Sequence, residues 1–481
     1  MAALEQIAPE HLLPIGDEFI RTEKTDTIRL PYDGSPVAIV PQGDPELVER
    51  AASAARKAAN IIGRWSNFER AELLDRIANL VRRDHAAFAA AISHETGKPI
   101  SEARTEVDRS LQTLLASSIV ARGLHGEAIP IDGASIGAGR MAMTIREPLG
   151  VIGIITPFNV PLNLAMHKLG PALAGGNAVV HKPSEQTPLS ALKLAQIVRE
   201  AGAPAGTYNV VTGPGEIVGK ALVECDGIDM ITFTGSVETG KAIRAAAGLK
   251  KVTLELGGNS AVIIEPDADL DAAVTRVVQG GYGYSGQVCI SVQRVYVHED
   301  VVTSFRSKLV EAVAKLRIGH PREDSTQIAS MISEEAARRV EAWTKEAANA
   351  GGKLLTGGTR TNNTISPGVL ADVPETSTFM RNELFGPLVA VNRYTNLDDA
   401  IVRVNSTPFG LQAGIYTQHL QHAFQTARKL RFGGVLINDV PTFRADHMPY
   451  GGIKNSGIGR EGPKYAVEEM TEPKLICWRV G

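Results

Sequence analysis

Residues 151–181 read VIGIITPFNVPLNLAMHKLGPALAGGNAVVH, and their rhythm decides the fold class. Val151–Ile155 is a short apolar run rich in β-branched residues, a strand by length and composition. Pro157 and Pro161 interrupt it, a helix follows over Pro161–Ala174 and ends at Gly175-Gly176, and Ala178–His181 is a second strand. Toward the C-terminus the alternation continues. Leu189–Ala201 reads as a helix with Gly202 behind it, Tyr208–Val211 as a strand, Glu216–Cys225 as a helix, Met230–Phe233 as a strand and Thr239–Ala247 as a helix. Apolar strands alternating with amphipathic helices imply a parallel sheet covered on both faces. Toward the N-terminus, residues 40–125 read as helices: Leu47, Ala51 and Ala54 recur at helical spacing, and Ala71–Arg83 and Phe88–Thr96 continue it. A second α/β run starts near Val252 and passes 440, with strands at Ser260–Ile264 and Arg294–Val297 and helices at Leu270–Gly281 and Val301–Lys315. Leu354–Val373 is polar and turn-rich, as in an exposed hairpin. Two such lobes without a flexible linker between them enclose a cleft, where small ligands bind.

The bulk properties narrow the function classes. The chain has 481 residues, 43% hydrophobic and 21% charged, with a formal net charge of −3. That suffices for two or three domains with a large core and carries no clustered basic footprint for nucleic acid. The start MAALEQIAPEHLLPIGDEF lacks the basic and apolar regions of a leader. Pro148–Met166 is uncharged and approaches a membrane span in length, but Pro148, Pro157, Pro161, Asn159 and Asn163 argue for a buried strand and helix instead. Cys225, Cys289 and Cys477 are too few and too scattered for a disulfide framework or a zinc site. The expectation is a cytoplasmic protein with no metal, no nucleic-acid partner and no membrane span.

Three segments carry chemistry. Tyr282-Gly-Tyr-Ser-Gly-Gln-Val-Cys-Ile-Ser291 sets Cys289 among small and polar residues. A lone cysteine is most often an inert core thiol, but Gly280, Gly281, Gly283 and Gly286 suit close approach of backbone to a ligand. Thr253-Leu-Glu-Leu-Gly-Gly258 is an apolar strand with one carboxylate, Glu255. It is either half of a strand-edge ion pair or a cleft carboxylate whose raised pKa suits a general base. Asn159 lies just past the first strand of the parallel sheet, as a turn residue or as a side-chain donor to an oxyanion. Together they supply a nucleophile, a base and an oxyanion donor, the parts of an acyl-thioester route.

Two further segments suit a dinucleotide. In Ala178-Val-Val-His-Lys-Pro-Ser-Glu185, Lys182 can bind ribose or phosphate oxygens. Glu185 can accept from a ribose 2′-OH and would repel a 2′-phosphate, which favours NAD over NADP. In Ile231-Thr-Phe-Thr-Gly-Ser-Val-Glu-Thr-Gly240, Gly235 and Ser236 bring backbone N–H groups to a helix N-terminus, as a pyrophosphate site or as a plain turn and N-cap.

These segments, in this order, resemble the aldehyde dehydrogenase superfamily: TPFNVP at 156–161, HKPSEQTP at 181–188, FTGS at 233–236, LELGG at 254–258, GQVC at 286–289, NELFGP at 382–387 and PYGGIKNSGIGREG at 449–462. The resemblance implies a Rossmann-like NAD-binding domain over 1–121 and 142–254, an α/β catalytic domain over 255–455, and a small β oligomerisation extension over 122–141 and 456–481. It implies a homodimer or homotetramer. It assigns Cys289 as nucleophile, Asn159 with the Cys289 N–H as oxyanion donors, and Glu255 as base. It places the cofactor against Ile155, Thr156, Pro157, Phe158, Lys182, Ser184, Glu185, Gly215, Phe233, Gly235, Ser236, Thr239, Leu256, Gly257, Glu383 and Phe385, with NADP a weaker alternative to NAD. Phe158 stands where the family often has tryptophan.

The implied reaction is oxidation of an aldehyde to its acid. Glu255 argues against a relative that passes the thioester to CoA, and the complete set argues against a catalytically silent binding member. TEVDRS at 105–110 and NDVPTFRADHMPYGG at 438–452 resemble the branch acting on lactaldehyde, glyceraldehyde 3-phosphate and phosphonoacetaldehyde. Arg109, Val288, Ile290, Arg444 and His447 are then the substrate contacts, for a small anionic or hydroxylated aldehyde. Arginine suits an anionic tail through its two parallel donors; the alternative leaves both arginines solvated, or paired with Asp108 and Asp446. Val288 weakens the phosphate and phosphonate options, because some such relatives carry arginine directly before the nucleophile.

Overall fold

The computed structural model describes residues 9–480; the first eight residues, part of the stretch read above as lacking a leader, lie outside it. Its first lobe is built on a six-stranded sheet. In spatial order the strands are Gly457–Ile458, Lys251–Glu255, Met230–Thr234, Val151–Ile155, Ala178–Lys182 and Tyr208–Val210. All are parallel except Gly457–Ile458, which runs antiparallel to Lys251–Glu255. From Val151–Ile155 the chain winds outward through Ala178–Lys182 to Tyr208–Val210, then returns to the other side of its starting strand for Met230–Thr234. Strand order therefore reverses between Val151–Ile155 and Met230–Thr234, and ligands of such sheets bind outside the carboxyl ends at that switch point. The helices Pro45–Ile62, Asn67–Arg83, His85–Thr96 and Ile100–Gly123 occupy the region read as helical.

Helix Pro161–Ala174 is buried along its whole length, so its first amides need protein partners. Glu106 supplies them from helix Ile100–Gly123, accepting from the N–H groups of Leu162 at 2.9 Å and Asn163 at 3.3 Å while pairing with Lys98.

The second lobe holds a seven-stranded sheet in the order Lys353–Thr356, Gly368–Ala371, Leu388–Tyr394, Val292–His298, Ser260–Ile264, Gln412–Tyr416 and Gly434–Ile437, parallel except at Lys353–Thr356. Leu354–Val373 is only partly the exposed hairpin expected. Arg360–Thr361 and Thr364–Ile365 form a short one, but Gly368–Ala371 is fully buried within the large sheet. A third sheet joins Thr471–Arg479, Arg140–Pro148 and Ala128–Ile129.

Arg140–Pro148 pairs over its full length with Thr471–Arg479. Gly457–Ile458 hydrogen-bonds to Leu254–Glu255, which ties the start of the 456–481 segment to the first lobe's sheet. Among the described residues, no helix is long and apolar enough to cross a membrane.

Candidate active site

The two large sheets meet with opposite ends. The first presents carboxyl ends: Asn159 follows Ile155, Ser236 follows Thr234, and Glu255 is the last residue of its strand. The second presents amino ends: Cys289 precedes Val292, Gly258 precedes Ser260, and Glu383 precedes Leu388. The segment Glu255-Leu-Gly-Gly-Asn-Ser260 crosses directly between them, and its glycines permit the crossing. A Cβ on Gly258 would stand 2.2 Å from the Cys289 carbonyl oxygen, and one on Gly257 would stand 2.5 Å from a Glu383 oxygen. Before Cys289 the chain makes a tight turn with Tyr284 and Ser285 at φ of 45° and 53°, a conformation that costs such residues about 1–3 kcal/mol each. Tyr284 Oη donates to the Thr96 carbonyl at 2.8 Å and Ser285 Oγ to the Ala329 carbonyl at 3.0 Å. These bonds hold the turn and so fix where Cys289 emerges.

Two cavities occupy the junction. One, of about 1020 Å³, lies over the first sheet and is lined by Ile155, Thr156, Pro157, Phe158, Lys182, Ser184, Glu185, Gly215, Phe233, Gly235 and Thr239. The other, of about 590 Å³, lies between the lobes and is lined by Asn159, Ser236, Glu255, Leu256, Gly257, Val288, Cys289, Ile290, Glu383, Phe385, Arg109 and Arg444. Pro157, Phe158, Thr234 and Gly235 border both, and Phe158 meets Phe385 edge to face at 5.9 Å. Of the expected contacts only His447 lies away from both cavities: it is exposed. The preceding Asp446 is drawn inward to Arg109, Asn163 and His167, which turns His447 out.

The larger cavity fits a dinucleotide. Lys182 is buried at the end of its strand, and its ammonium has a carboxylate no nearer than Glu185 at 3.7 Å; burial lowers its pKa. Glu185 is oriented by the Gly215 N–H at 2.7 Å. Ser236 caps helix Val237–Ala246 by accepting from the Thr239 N–H at 3.2 Å. In the adjoining smaller cavity Gly258 N–H donates to Glu383 Oε1 at 2.8 Å, and burial brings that carboxyl up to about 7.

In the smaller cavity, Asn159 donates one N–H to the Gln287 carbonyl at 2.8 Å, and its Oδ1 has no hydrogen-bond partner among the described residues. Neither oxygen of Glu255 has one either. Burial raises the Glu255 pKa well above the ordinary carboxylate value, the Glu461 charge raises it further, and Lys168, Arg444 and Arg460 only partly oppose this. Glu461 takes the opposite course. Burial alone would raise it, but Lys168 at 2.6 Å and Arg444 at 3.0 Å hold it well below the usual range.

Cys289 keeps some exposure to the cavity, yet burial pushes its thiol up to about 12 against the pull of a 3.0 Å hydrogen bond with Tyr450. The groups acting on the sulfur are Tyr450, Arg444 and two carboxylates.

Both cavity arginines are paired with carboxylates. Arg109 reaches Asp446 through Nε at 3.2 Å and Nη2 at 2.8 Å, while Asp108 meets His85 instead. Arg444 reaches Glu461 at 3.0 Å and His167 at 3.0 Å, and its Nε finds no partner among the described residues. Sequence reasoning passed over Lys168, Glu461 and Tyr450. Lys168 carried a signal: a lone ammonium in a largely apolar helix demands a buried partner.

Residues 19–476 match the sequence model of the aldehyde dehydrogenase family. The chain is 44% identical over 476 residues to the 3-sulfolactaldehyde dehydrogenase of Priestia megaterium, covering 99% of each chain. Aldehyde dehydrogenase 21 from Physcomitrella patens, solved in complex with the reaction product succinate, superposes with a TM-score of 0.96 at 36% identity over 98% of both chains. Glyceraldehyde-3-phosphate dehydrogenase GapN from Methanocaldococcus jannaschii, complexed with NADP, gives 0.92 at 38% identity over 96% of this chain and all of that one.

Proposed function

The chain belongs to the aldehyde dehydrogenase family, and we propose that it oxidises a small hydroxylated, anionic aldehyde to its carboxylic acid through a thioester on Cys289, with NAD preferred over NADP. One observation carries the reading: Cys289, Asn159 and Glu255, from three distant segments, line one cavity that opens past Phe158 and Gly235 into the dinucleotide cavity.

Cys289 Sγ attacks the aldehyde carbon. The resulting oxyanion is stabilised by the second Asn159 Nδ2–H, the first being given to the Gln287 carbonyl, and by the Cys289 backbone N–H. Lys182 and Glu185 would hold the adenosine ribose of NAD and Glu383 its nicotinamide ribose, and the bound cofactor would supply the acceptor for the hydride released from the substrate carbon. Glu255 then removes a proton from the water that attacks the thioester, and the acid departs with the thiol restored. The unpaired, buried state of Glu255 suits a base working near neutrality.

Arg109 and Arg444 face the tail of the substrate. Arg109 keeps 36% of its side chain exposed despite its pair with Asp446, and the Nε–H of Arg444 is unused, so each retains donors for an anion. The 3-sulfolactaldehyde name of the Priestia relative supports a tail of that class. Met141, Met143, Leu475 and Trp478 are exposed on the three-stranded sheet, which supports a homodimer or homotetramer joined through that extension. A free catalytic thiol suits a reducing, cytoplasmic setting.

The test is NADH formation with propanal, lactaldehyde, succinate semialdehyde, 3-sulfolactaldehyde and glyceraldehyde 3-phosphate, alongside Cys289→Ala. The short anionic, hydroxylated members should give the highest kcat/KM, and Cys289→Ala should form no NADH while still binding NAD. Hexanal or benzaldehyde as best substrate overturns the substrate class; oxidation surviving in Cys289→Ala overturns the thioester route.

A further inference from the structure

A thiol buried as Cys289 is needs something that favours its anion, and the structure offers one group in direct contact. Tyr450 Oη lies 3.0 Å from Sγ. The tyrosine is 3% exposed, and its hydroxyl bonds to no other group among the described residues. Three linked contacts hold the ring. Tyr450 and Glu461 exchange backbone hydrogen bonds at 3.0 and 2.7 Å. The Glu461 carboxylate binds Arg444 at 3.0 Å. The Arg444 guanidinium lies over the Tyr450 ring, 3.7 Å from its centre. Each contact closes on the next, so the hydroxyl has little freedom to leave the sulfur. A cation over the ring also draws electron density from it, which makes the phenol a stronger donor.

We propose that Tyr450 is a catalytic hydrogen-bond donor that stabilises the Cys289 thiolate, with Glu461 and Arg444 as the positioning residues that aim it. The inference rests on the reading of Cys289 as the nucleophile. The phenol keeps its proton throughout: it donates to sulfur while sulfur is anionic, and the bond weakens once sulfur is bonded to carbon. The arrangement is consistent with the burial that raises the thiol and with the opposing effect of Tyr450 on it.

The readout is the rate of Cys289 alkylation by iodoacetamide against pH, without cofactor or aldehyde, measured on the Cys289 peptide by mass spectrometry so that Cys225 and Cys477 do not contribute. Tyr450→Phe removes one oxygen. A hydrogen bond to a charged group corresponds to about 1–2 pH units in the profile's midpoint, so alkylation at neutral pH should fall about 10- to 100-fold. The limiting rate at high pH should hold or rise, since the less stabilised thiolate is the better nucleophile. Replacing the tyrosines by 3-fluorotyrosine, a stronger acid and donor, should move the midpoint the other way, and this arm decides the matter if the Phe variant does not fold. Superimposable profiles for the unmodified and substituted proteins overturn the proposal. Should Cys289→Ala still oxidise aldehyde, the nucleophile reading itself is lost; an inactive Cys289→Ala with unshifted profiles removes Tyr450 alone.

Discussion

The two cavities are built to opposite rules. In the dinucleotide cavity the polar groups are largely committed within the chain: Glu185 to the Gly215 amide and Thr156 Oγ1 to His181. In the catalytic cavity both Glu255 oxygens, Asn159 Oδ1 and Arg444 Nε are buried without partners among the described residues. A buried polar atom left unpaired costs about 1–3 kcal/mol, so the second cavity carries more standing strain than the first, where the one such atom among the described residues, Thr234 Oγ1, borders both cavities. Binding a cofactor needs a shape that stays the same through the reaction. Acyl transfer needs groups whose partners appear only as the reaction proceeds, and a fully satisfied Glu255 would be a poor base.

Glu255→Gln gives the sharpest test of that contrast, with effects of opposite sign on rate and stability. Loss of a general base slows its step by about 100- to 10,000-fold. Rapid mixing with aldehyde and NAD should therefore show an NADH burst near one equivalent, then a steady state reduced by that order. In the unmutated enzyme, deacylation should fall on acidification at a pH above the ordinary carboxylate range, because burial and Glu461 raise Glu255. The same shift fixes the sign for stability. A carboxyl whose folded-state pKa is raised contributes stability that is fully present below its unfolded pKa and is lost as pH rises through the folded one. Glutamine cannot ionise, so the variant should melt at a higher temperature than the parent at neutral pH, and the two should converge below the usual carboxylate range. Normal turnover, or a lower melting temperature at neutral pH, breaks the contrast.

The same division explains what the sequence revealed. The dinucleotide cavity forms at the ends of neighbouring strands, and its residues follow those strands within a few positions, as Pro157 and Phe158 follow Ile155 and as Ser184 and Glu185 follow Lys182. Such local placement can be read from strand periodicity and turn chemistry. The order of motifs located Cys289 and Glu255 as well. What escaped was the pairing of Lys168 and Arg444 with Glu461 and of Asp446 with His167, while the pair of Arg109 with Asp446 was read only as the alternative. Those partners belong to different elements and meet only when the lobes close. His447 misled for the same reason, since its outward direction depends on where Asp446 points.

A smaller effect should come from the paired arginines. Arg109→Leu removes a two-pronged donor, worth about 10- to 100-fold in kcat/KM for aldehydes with a sulfonate or carboxylate tail, while propanal should change by less than about threefold. Arg109→Lys keeps the charge without the fork and should recover only part of the loss. The comparison matters because Asp446 already neutralises Arg109. If anionic and neutral substrates lose equally, Arg109 serves only to satisfy Asp446, and the cavity's unpaired groups end at Arg444.

The smallest effect belongs to the cofactor cavity, and its size follows from exposure. In the proposed reading Glu185 would face a 2′-phosphate, but 46% of its side chain is open to solvent and Lys182 stands 3.7 Å away with the opposite charge. Repulsion of a phosphate there is screened and partly offset, so it falls in the range of exposed charge pairs, about two- to fivefold in binding. Glu185→Gln should narrow the preference for NAD over NADP by that factor, through the Michaelis constant for NADP with little change in kcat. High salt should narrow it in the unmutated enzyme as well. The GapN relative complexed with NADP shows that the overall fold accommodates the phosphate, which leaves the choice to local groups such as this one. Glutamine also retains an oxygen for the Gly215 amide, so the loop should keep its shape and the change in preference should report charge alone. Equal efficiency with both cofactors before any mutation removes Glu185 from discrimination. A preference far above fivefold that Glu185→Gln leaves intact assigns it to another residue lining the same cavity.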